Sequence, residues 1–464
     1  MDVLSNDQVQ AVVAGLRATL DTQRREAAAV DSWIRPDSQT GFNVPAKAGT
    51  EHRQLANLAR TPWLGLVVTN VAQAMYVDNV VTDSGEDPDL WRVWLDNGMA
   101  AHQIANHRGM VAYGQTFGVV TPALFRGVDT ARLRCLSPKR MAVLWEDAAT
   151  DVFPIYALEA MSTRVDNARF KLYDNHHVYH VVATGVGTGG YTVTAVEVHG
   201  VGVTPVVRFA NMLDLDGGVV GEVTPFIPAA ARINKTSYDR LLAQHFNSWK
   251  VRTIAGIDLP EHEDPTQEAT EIAREKMRLS QEDILISEDS ETKFGALDGT
   301  SLDTYVTAWR SDIEALAAVS QTPAHALTGQ LVNLNAEALA AARAPLTQKV
   351  WERKVGAGVG YANMLRLAAS ITGLESQATD PLVRVTWQDT EIRSMSQAVD
   401  ALGKAATMLG IPVRGLWGRI PGVERSDVQE WERLADSAEA ADPLRAVLRR
   451  HNSATADDSG QPEV

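Results

Sequence analysis

Three residues, His176, His177 and His180, form the one histidine cluster of the sequence. On a strand, residues 176 and 180 share a face and would hold a metal ion if a third ligand came from elsewhere. The rival reading is a solvated strand edge, because no second cluster supplies the remaining ligands. Gly185-Val-Gly187-Thr-Gly189-Gly190 invites a phosphate-binding reading. A phosphate cradle needs a strand before it and a helix N-terminus after it. Two strand-like runs flank this stretch, so a hairpin loop accounts for it better. Gly356-Ala-Gly358-Val-Gly360 lies inside a helical stretch and reads as close helix packing. No GxxxxGK[ST] sequence occurs, which excludes a P-loop ATPase, and nothing resembles a nucleophile elbow or HExxH. Asp214 and Asp216 sit in a DLDG turn rather than as an acid–base pair. Cys135 reads as a buried strand residue, although the arginines preceding it would lower its pKa. Asn234-Lys-Thr236 matches a glycosylation sequon without a secretory context.

The elements that must position these residues run helical, then β-rich, then helical again. Val9, Val12, Val13, Leu16 and Leu20 recur at helical spacing within 6–30, and Ser5 with Gln8 offers a capping box. A loop from Arg35 to Thr50 follows, and a helical block over about 53–113 has Trp91, Trp94, Met99, Ile104 and Met110 as core anchors. From Gly118 the pattern becomes short apolar runs, namely Val119–Thr121, Ala131–Leu136, Ala142–Glu146, Ile155–Met161, Phe170–Tyr173, Val178–Ala183, Tyr191–Val198 and Val206–Phe209. Their regular spacing predicts an antiparallel sheet or partial barrel.

Ile233, Tyr238, Leu241, Leu242, His245, Phe246 and Trp249 then trace one stripe of a helix of about five turns. An acidic insert carries Glu261, Glu263, Asp264, Glu268 and Glu271, with a short strand at Ile284–Ser287. Leu302, Tyr305, Val306, Trp309, Ile313 and Leu316 form a second amphipathic helix. The polar loop from Thr322 to Asn335 leads into the longest helical stretch, Ala336–Thr372, where Pro345 predicts a kink. A short strand, Val383–Trp387, precedes a final helical region over 390–450, and the tail from His451 reads as disordered.

Composition bounds the function. The 464 residues are 45% hydrophobic and 22% charged, which excludes collagen, wholly disordered and membrane-embedded classes. Lys plus Arg number 43 against 58 acids, for a net charge of -15. Such a chain does not grip nucleic acid by neutralising phosphates. It is compatible with letting nucleic acid slide past. One cysteine removes any disulfide framework. The N-terminus lacks the pattern of a secretory signal, and no apolar run is long enough to span a bilayer.

Several stretches resemble, in order, the portal proteins of tailed double-stranded DNA bacteriophages, of the siphophage type found in phages of actinobacteria. Trp94-Leu-Asp-Asn97 through Ala112-Tyr113-Gly114-Gln-Thr116 resembles the family's helix leading into its first β segment, and Leu136-Ser-Pro138-Lys139-Arg140 the strand-turn that follows. Arg232-Ile-Asn234-Lys235 resembles the start of the stem. Trp309-x-x-Asp312-Ile313-x-x-Leu316, Thr322-Pro323-x-His325-x-Leu327-x-Gly329 and Asn335-x-Glu337-x-Leu339 resemble stem helix, tunnel loop and long wing helix. Val385-x-Trp387-x-Asp389-x-Glu391-x-Arg393, Ala398-x-Asp400-Ala401 and Ile420-Pro421-Gly422 resemble the passage into the crown. None of these motifs is catalytic; their order and spacing carry the resemblance over about 55–435.

The resemblance implies an α+β portal fold that forms a ring, usually a homo-oligomer of twelve, at one capsid vertex of the virion, assembled in the host cytoplasm. It implies a wing over 1–230 with the long kinked helix of 336–380, a stem over 231–250 and 291–320, and a clip over 251–290. The tunnel loop would be 321–335, the crown 381–450 and the disordered tail 451–464. Double-stranded DNA would pass through the channel, narrowed by Gln330, Leu331, Val332, Asn333, Leu334 and Asn335. Glu261, Glu263, Asp264, Glu268 and Glu271 of the clip would meet the terminase and the head-completion adaptor. Major capsid protein and scaffold protein are further implied partners, and no membrane, cofactor, metal or catalysis is implied. The competing reading is a soluble intracellular α+β enzyme with metal at His176 and His180.

Overall fold

The computed structural model describes residues 3–36, 49–125, 127–161, 168–184, 190–248, 252–255, 293–296, 301–329, 336–388, 395–420, 422–423 and 425–441. It divides into two compact units, Met1–Trp387 and Gln388–Val464.

Helix α1 (Asn6–Ile34) begins as the sequence predicts: Ser5 accepts the Gln8 N–H while the Gln8 side chain accepts the Ser5 N–H. Its buried stripe, Val9, Val13, Leu16 and Leu20, packs on Phe170, Leu172 and Tyr191. Each such apolar side chain contributes about 1.5–3 kcal/mol by leaving water. The surface beneath is an antiparallel five-stranded meander of β5 (Met141–Leu144), β6 (Tyr156–Ala160), β7 (Arg169–Tyr173), β8 (His177–Thr184) and β9 (Gly190–Val198), in chain order. The six strands read between Ala131 and Val198 are therefore present, the first of them in the neighbouring sheet. Antiparallel β8 and β9 pair as far as Thr184 opposite Gly190, so the glycine-rich stretch joins a hairpin; its residues 185–189 lie outside the described residues.

A second sheet, in the order β10 (Val206–Ala210), β3 (Gln115–Phe125) and β4 (Val128–Leu136), lines the main core. Arg134 of β4 joins the two sheets through a bidentate ion pair with Glu159 of β6, at 2.5 and 2.9 Å. The Glu159 side chain is fully buried and also accepts from Tyr173 Oη at 2.7 Å. Burial pushes its carboxyl up, but Arg134 outweighs that and holds it below its ordinary value.

The helical block read over 53–113 is corrected at one place. Helices α2 (Thr50–Ala59), α3 (Trp63–Gln73), α4 (Pro88–Asp96) and α5 (Met99–Tyr113) form, but β1 (Val77–Thr82) and β2 (Gly85–Glu86) interrupt them. The β-branched run Val77, Val80, Val81, Thr82 favours strand, and its partner β13 (Arg384–Trp387) pairs antiparallel, Val80 opposite Val385. Trp94, Met99 and Met110 are fully buried, whereas Ile104 is exposed. The buried face of α5 is partly polar, through Gln103, Asn106 and His107, so apolar spacing misplaces it.

Past these sheets run α6 (Ile227–Ser248), the pair β11 (Arg252–Ala255) and β12 (Lys293–Ala296), α7 (Asp303–Val319), α8 (Ala324–Thr328) and α9 (Ala336–Thr372). The α9 helix is unbroken across Pro345 and is followed by α10 (Glu375–Thr379). Two of its three glycines explain themselves by packing. A Cβ on Gly360 would stand 2.5 and 2.7 Å from the Phe209 ring of β10, and one on Gly356 would stand 3.0 Å from the Ala210 carbonyl oxygen. Gly360→Ala is expected to cost about 1–3 kcal/mol by overpacking. Gly15→Ala on the open face of α1, where nothing lies within 4 Å, should gain about 0.5–1 kcal/mol. Denaturant midpoints of the two variants check the opposite signs.

The second unit holds α11 (Met395–Leu409) and α12 (Arg425–Ala441) with a 3-10 turn, Val413–Arg419, between them. Trp417 meets Trp431 edge to face, with the ring centroids 6.2 Å apart. Arg414 pairs Asp436 at 2.7 Å. The strand read at Ile284–Ser287 and the tail from His451 lie outside the described residues.

Candidate functional site: the frame of the helix pair and its buried ionic clamp

The residues expected to face a channel, Gln330, Leu331, Val332, Asn333, Leu334 and Asn335, and the acids Glu261, Glu263, Asp264, Glu268 and Glu271 all lie outside the described residues. The structure describes the frame from which both segments spring.

Helices α6 and α7 lead out to the acidic insert and back. Arg232 Nε donates to Asp312 Oδ1 at 2.7 Å, and Thr236 Oγ1 to Asp312 Oδ2 at 2.9 Å. Arg240, two turns along α6, lies over the Trp309 ring at 5.7 Å, so the helices run antiparallel. Beyond them β11 and β12 pair antiparallel, from Arg252 opposite Ala296 to Ala255 opposite Lys293. At the base Ile233, Ile313 and Leu316 are fully buried, while Leu241, Leu242, Tyr305 and Val306 are half-buried. Phe246 and Trp249 of the predicted stripe have no described side chain. Asn234 is fully buried and its Oδ1 accepts the Thr61 N–H at 3.3 Å, so the sequon is a packing residue.

An ionic clamp holds the other end of α7. Its last carbonyl, that of Ser320, accepts from Lys349 Nζ of α9 at 2.7 Å. Lys349 also meets Glu222 Oε2 at 2.6 Å, and Arg353, one turn on, meets Glu222 Oε1 at 2.8 Å. Asn211 Nδ2 donates to the same carboxylate at 3.3 Å, and the Glu222 N–H is tied to the Val111 carbonyl at 2.7 Å. All three charged side chains are at least 94% removed from solvent, their exposures being 2%, 5% and 6%. Burial pushes the Glu222 carboxyl up, but Lys349 and Arg353 together hold it below its ordinary value. The clamp ties Ser320, just before the segment 321–335, to Lys349 well inside α9; after it Gln321 turns at φ 52° and α8 ends at Gly329 with φ 69°. Sequence reading missed this clamp because its members are far apart in the chain. The one local signal was a Lys and an Arg four residues apart on a helix otherwise rich in apolar residues.

A buried polar chain lies beneath α9. Thr116 Oγ1 donates to Asn106 Oδ1 at 2.6 Å, and Asn106 Nδ2 donates to Tyr361 Oη at 3.1 Å. Tyr361 Oη lies 3.0 Å from His107 Nε2, and His107 Nδ1 lies 3.1 Å from the Met75 carbonyl. With the proton on Nδ1, every group in the chain is satisfied. Burial pulls the His107 pKa down to about 4. The folded state therefore binds fewer protons than the unfolded one, so stability is complete above pH about 6.5 and falls toward pH 4, by about 3 kcal/mol at most. His107→Gln should flatten that interval of the stability–pH curve, which denaturant titration at several pH values measures.

The remaining chemical candidates resolve as structure. Asp174 caps the β7–β8 turn, accepting the His176 and His177 N–H groups at 2.7 and 2.6 Å and the Tyr179 hydroxyl at 2.9 Å. His180 lies 3.0 Å from Glu197 on β9. Among the described residues no three His, Cys, Asp or Glu side chains gather to hold a metal ion. Asp214 accepts the Asp216 and Gly218 N–H groups, the expected turn. Burial pushes the Cys135 thiol up to about 12, so the neighbouring arginines do not activate it. No helix among the described residues is long and apolar enough to cross a membrane.

The quoted motifs hold joints. Asn97 ends α4 and stitches it to β4, donating to the Ala131 carbonyl and accepting the Leu133 N–H, each at 2.9 Å. Gly114, at φ 89°, ends α5 against Gly221 and Val220, where a Cβ would stand 3.0 Å from backbone atoms. Asp312 and Thr322 belong to the helix pair and to the buried end of α7.

Residues 23–444 match the family model described as phage portal protein, SPP1 Gp6-like. No curated protein matches the chain. Among solved structures, it is similar to a chain from the neck of an empty GTA particle computed with C6 symmetry, at 12% identity, 82% coverage of this chain, 99% of that chain and a TM-score of 0.44. A chain from the neck of a native GTA particle computed with C12 symmetry gives 14%, 84%, 99% and 0.42.

Proposed function

From the premise that this chain belongs to the phage portal protein family, SPP1 Gp6-like, we propose that its copies close into a ring of twelve at one vertex of a capsid, the passage for double-stranded DNA during packaging and ejection. The observation that carries this reading is the extent of the family match, which spans both compact units. In this reading α6 and α7 are the stem, the insert over 251–290 the clip, and the segment over 321–335 the loop facing the channel. The wing is 1–230 with 336–380, and the crown 381–450. The clip acids Glu261, Glu263, Asp264, Glu268 and Glu271 offer carboxylates to the terminase motor and then to the head-completion adaptor. Capsid and scaffold proteins meet the outer surface.

The charge supports the same reading. Twelve copies at -15 carry about -180 before counterions. An acidic wall repels phosphates and lets duplex DNA move with few sticking points, where a basic wall would hold it with steep salt dependence. The uncharged run Gln330–Asn335 touches DNA without holding a phosphate. The family is structural, and the reading needs no catalytic step from this chain.

Mass and symmetry of the purified protein test the proposal, by light scattering and electron microscopy. A closed ring with an axial hole wide enough for duplex DNA is expected. A monomer or dimer that persists at high concentration overturns it.

A further inference from the structure

The loop after β10 projects a side chain into water. Leu215 is 96% exposed and is flanked by Asp214 and Asp216. The projection is built rigidly: Leu213 bridges Val219, the Asp214 N–H donates to the Gly218 carbonyl at 3.0 Å, and the Asp214 carboxylate accepts two more N–H groups. Gly217, at φ 83°, sits so close to Ala148 that a Cβ would stand 2.6 Å from the Ala148 Cβ. That contact sets Asp147 and Asp151, in the turn around Ala148, beside the same projection. Met212 and Leu213 beside it are also exposed, so the loop presents a contiguous apolar patch bordered by carboxylates, the kind of surface that marks a contact.

The same compact unit contains a complementary surface. A cleft of about 1290 Å³ opens between α1, α3, α5 and the turn after β4. Leu66 and Ala105 give it apolar wall, and Arg35, Arg108, Lys139 and Arg140 give it positive charge on a chain that is otherwise acidic. Lys139 is paired with Asp31 at 2.7 Å, and Arg140 is 3.5 Å from Glu159. Arg35 and Arg108 have no ion-pair partner among the described residues. No residue of 211–220 lines the cleft.

We infer that the Leu215 projection of one copy seats in this cleft of the next, with Asp216 facing Arg108. The contact joins two different surfaces, so it repeats head to tail and closes wherever the rotation between copies permits a ring. The charge pattern selects this occupant over the chain's own segment 37–48, which carries only one acid and one base. The inference rests on the ring reading above and names the surfaces that make it.

The test uses the full chain at concentrations where the unmodified protein assembles, with particle mass and sedimentation as readouts and circular-dichroism melting as the check on folding. Leu215→Asp, Asp216→Lys and Arg108→Asp should each raise the concentration for half-assembly by about tenfold or more, the signature of a central contact. Asp216→Lys with Arg108→Asp should recover most of that loss. In a Cys135→Ala background, Leu215→Cys with Ala105→Cys should cross-link between chains into a ladder. Rings formed by Leu215→Asp at the unmodified concentration, no recovery in the charge-swapped pair, or a cross-link confined to one chain would each overturn the inference while leaving the ring intact. Absence of any ring from the unmodified protein would overturn the ring reading itself, and this contact with it.

Discussion

Replacing 256–292 with an Asn-Gly turn should leave a ring-forming protein that no longer supports DNA packaging. The register of β11 and β12 makes the excision clean: Ala255 lies opposite Lys293, so a two-residue turn closes the hairpin without shifting a pair. The removed segment holds twelve acids against three bases, nine of the fifteen net negative charges. If those carboxylates dock a basic motor surface, packaging falls to background while assembly and melting change little. A milder variant, Glu261→Lys with Glu263→Lys and Asp264→Lys, keeps the segment and should weaken motor binding at least tenfold, with a reduced salt dependence. Packaging at the unmodified rate by both variants would remove the docking role of these acids.

The second large effect is in the clamp. Glu222→Ala should cost about 3–5 kcal/mol, because it leaves buried Lys349 without a counter-ion and Arg353 with only the half-exposed Glu352. Replacing all three together, with Glu222→Leu, Lys349→Met and Arg353→Met, should cost much less than the single change, since no buried charge remains. Denaturant unfolding of the two variants decides this. The pH dependence has a definite sign: Glu222 is held below its ordinary value, so its contribution is present above about pH 4.3 and is lost as pH falls through the folded value. The functional consequence is positional. Lys349 ties the end of α7 to α9 across the loop, so Lys349→Met should loosen the loop's anchorage before it unfolds the chain. Faster amide exchange over 320–349, at unchanged exchange in the five-stranded meander, is the expected signature.

Local patterns read well where neighbours in the chain are neighbours in space. The meander β5 to β9 and the capping box at Ser5 depend on short-range pairing, and both were legible. Strand β1 was not, because its short β-branched run sits between helices and its partner β13 lies roughly three hundred residues later. The buried face of α5 was misplaced for another reason. Gln103 is fully buried with its amide on the Val77 backbone, and His107 is likewise satisfied, so polarity did not mark the outer face. Gly356 and Gly360 read as packing glycines on helical context alone, and the Ala210 carbonyl and the Phe209 ring show why. The Glu222 clamp joins three separate stretches and leaves only the spacing of Lys349 and Arg353 as a clue. The uncharged run 330–335 and the acids of 261–271 stand out only by charge and resemblance, and they fall outside the described residues.

The pairing of β1 with β13 also sets a timetable. At roughly 5–20 residues per second, a ribosome that has released β1 needs about 15 s to a minute more before β13 emerges. Throughout that interval the Val77–Thr82 edge, bordered only by the two residues of β2, has an open side able to recruit another nascent strand. The chain therefore passes through a sticky stage at every round of synthesis. Its yield should depend on chaperone supply and on fast translation of the stretch between β1 and β13 more than on the final stability of the fold.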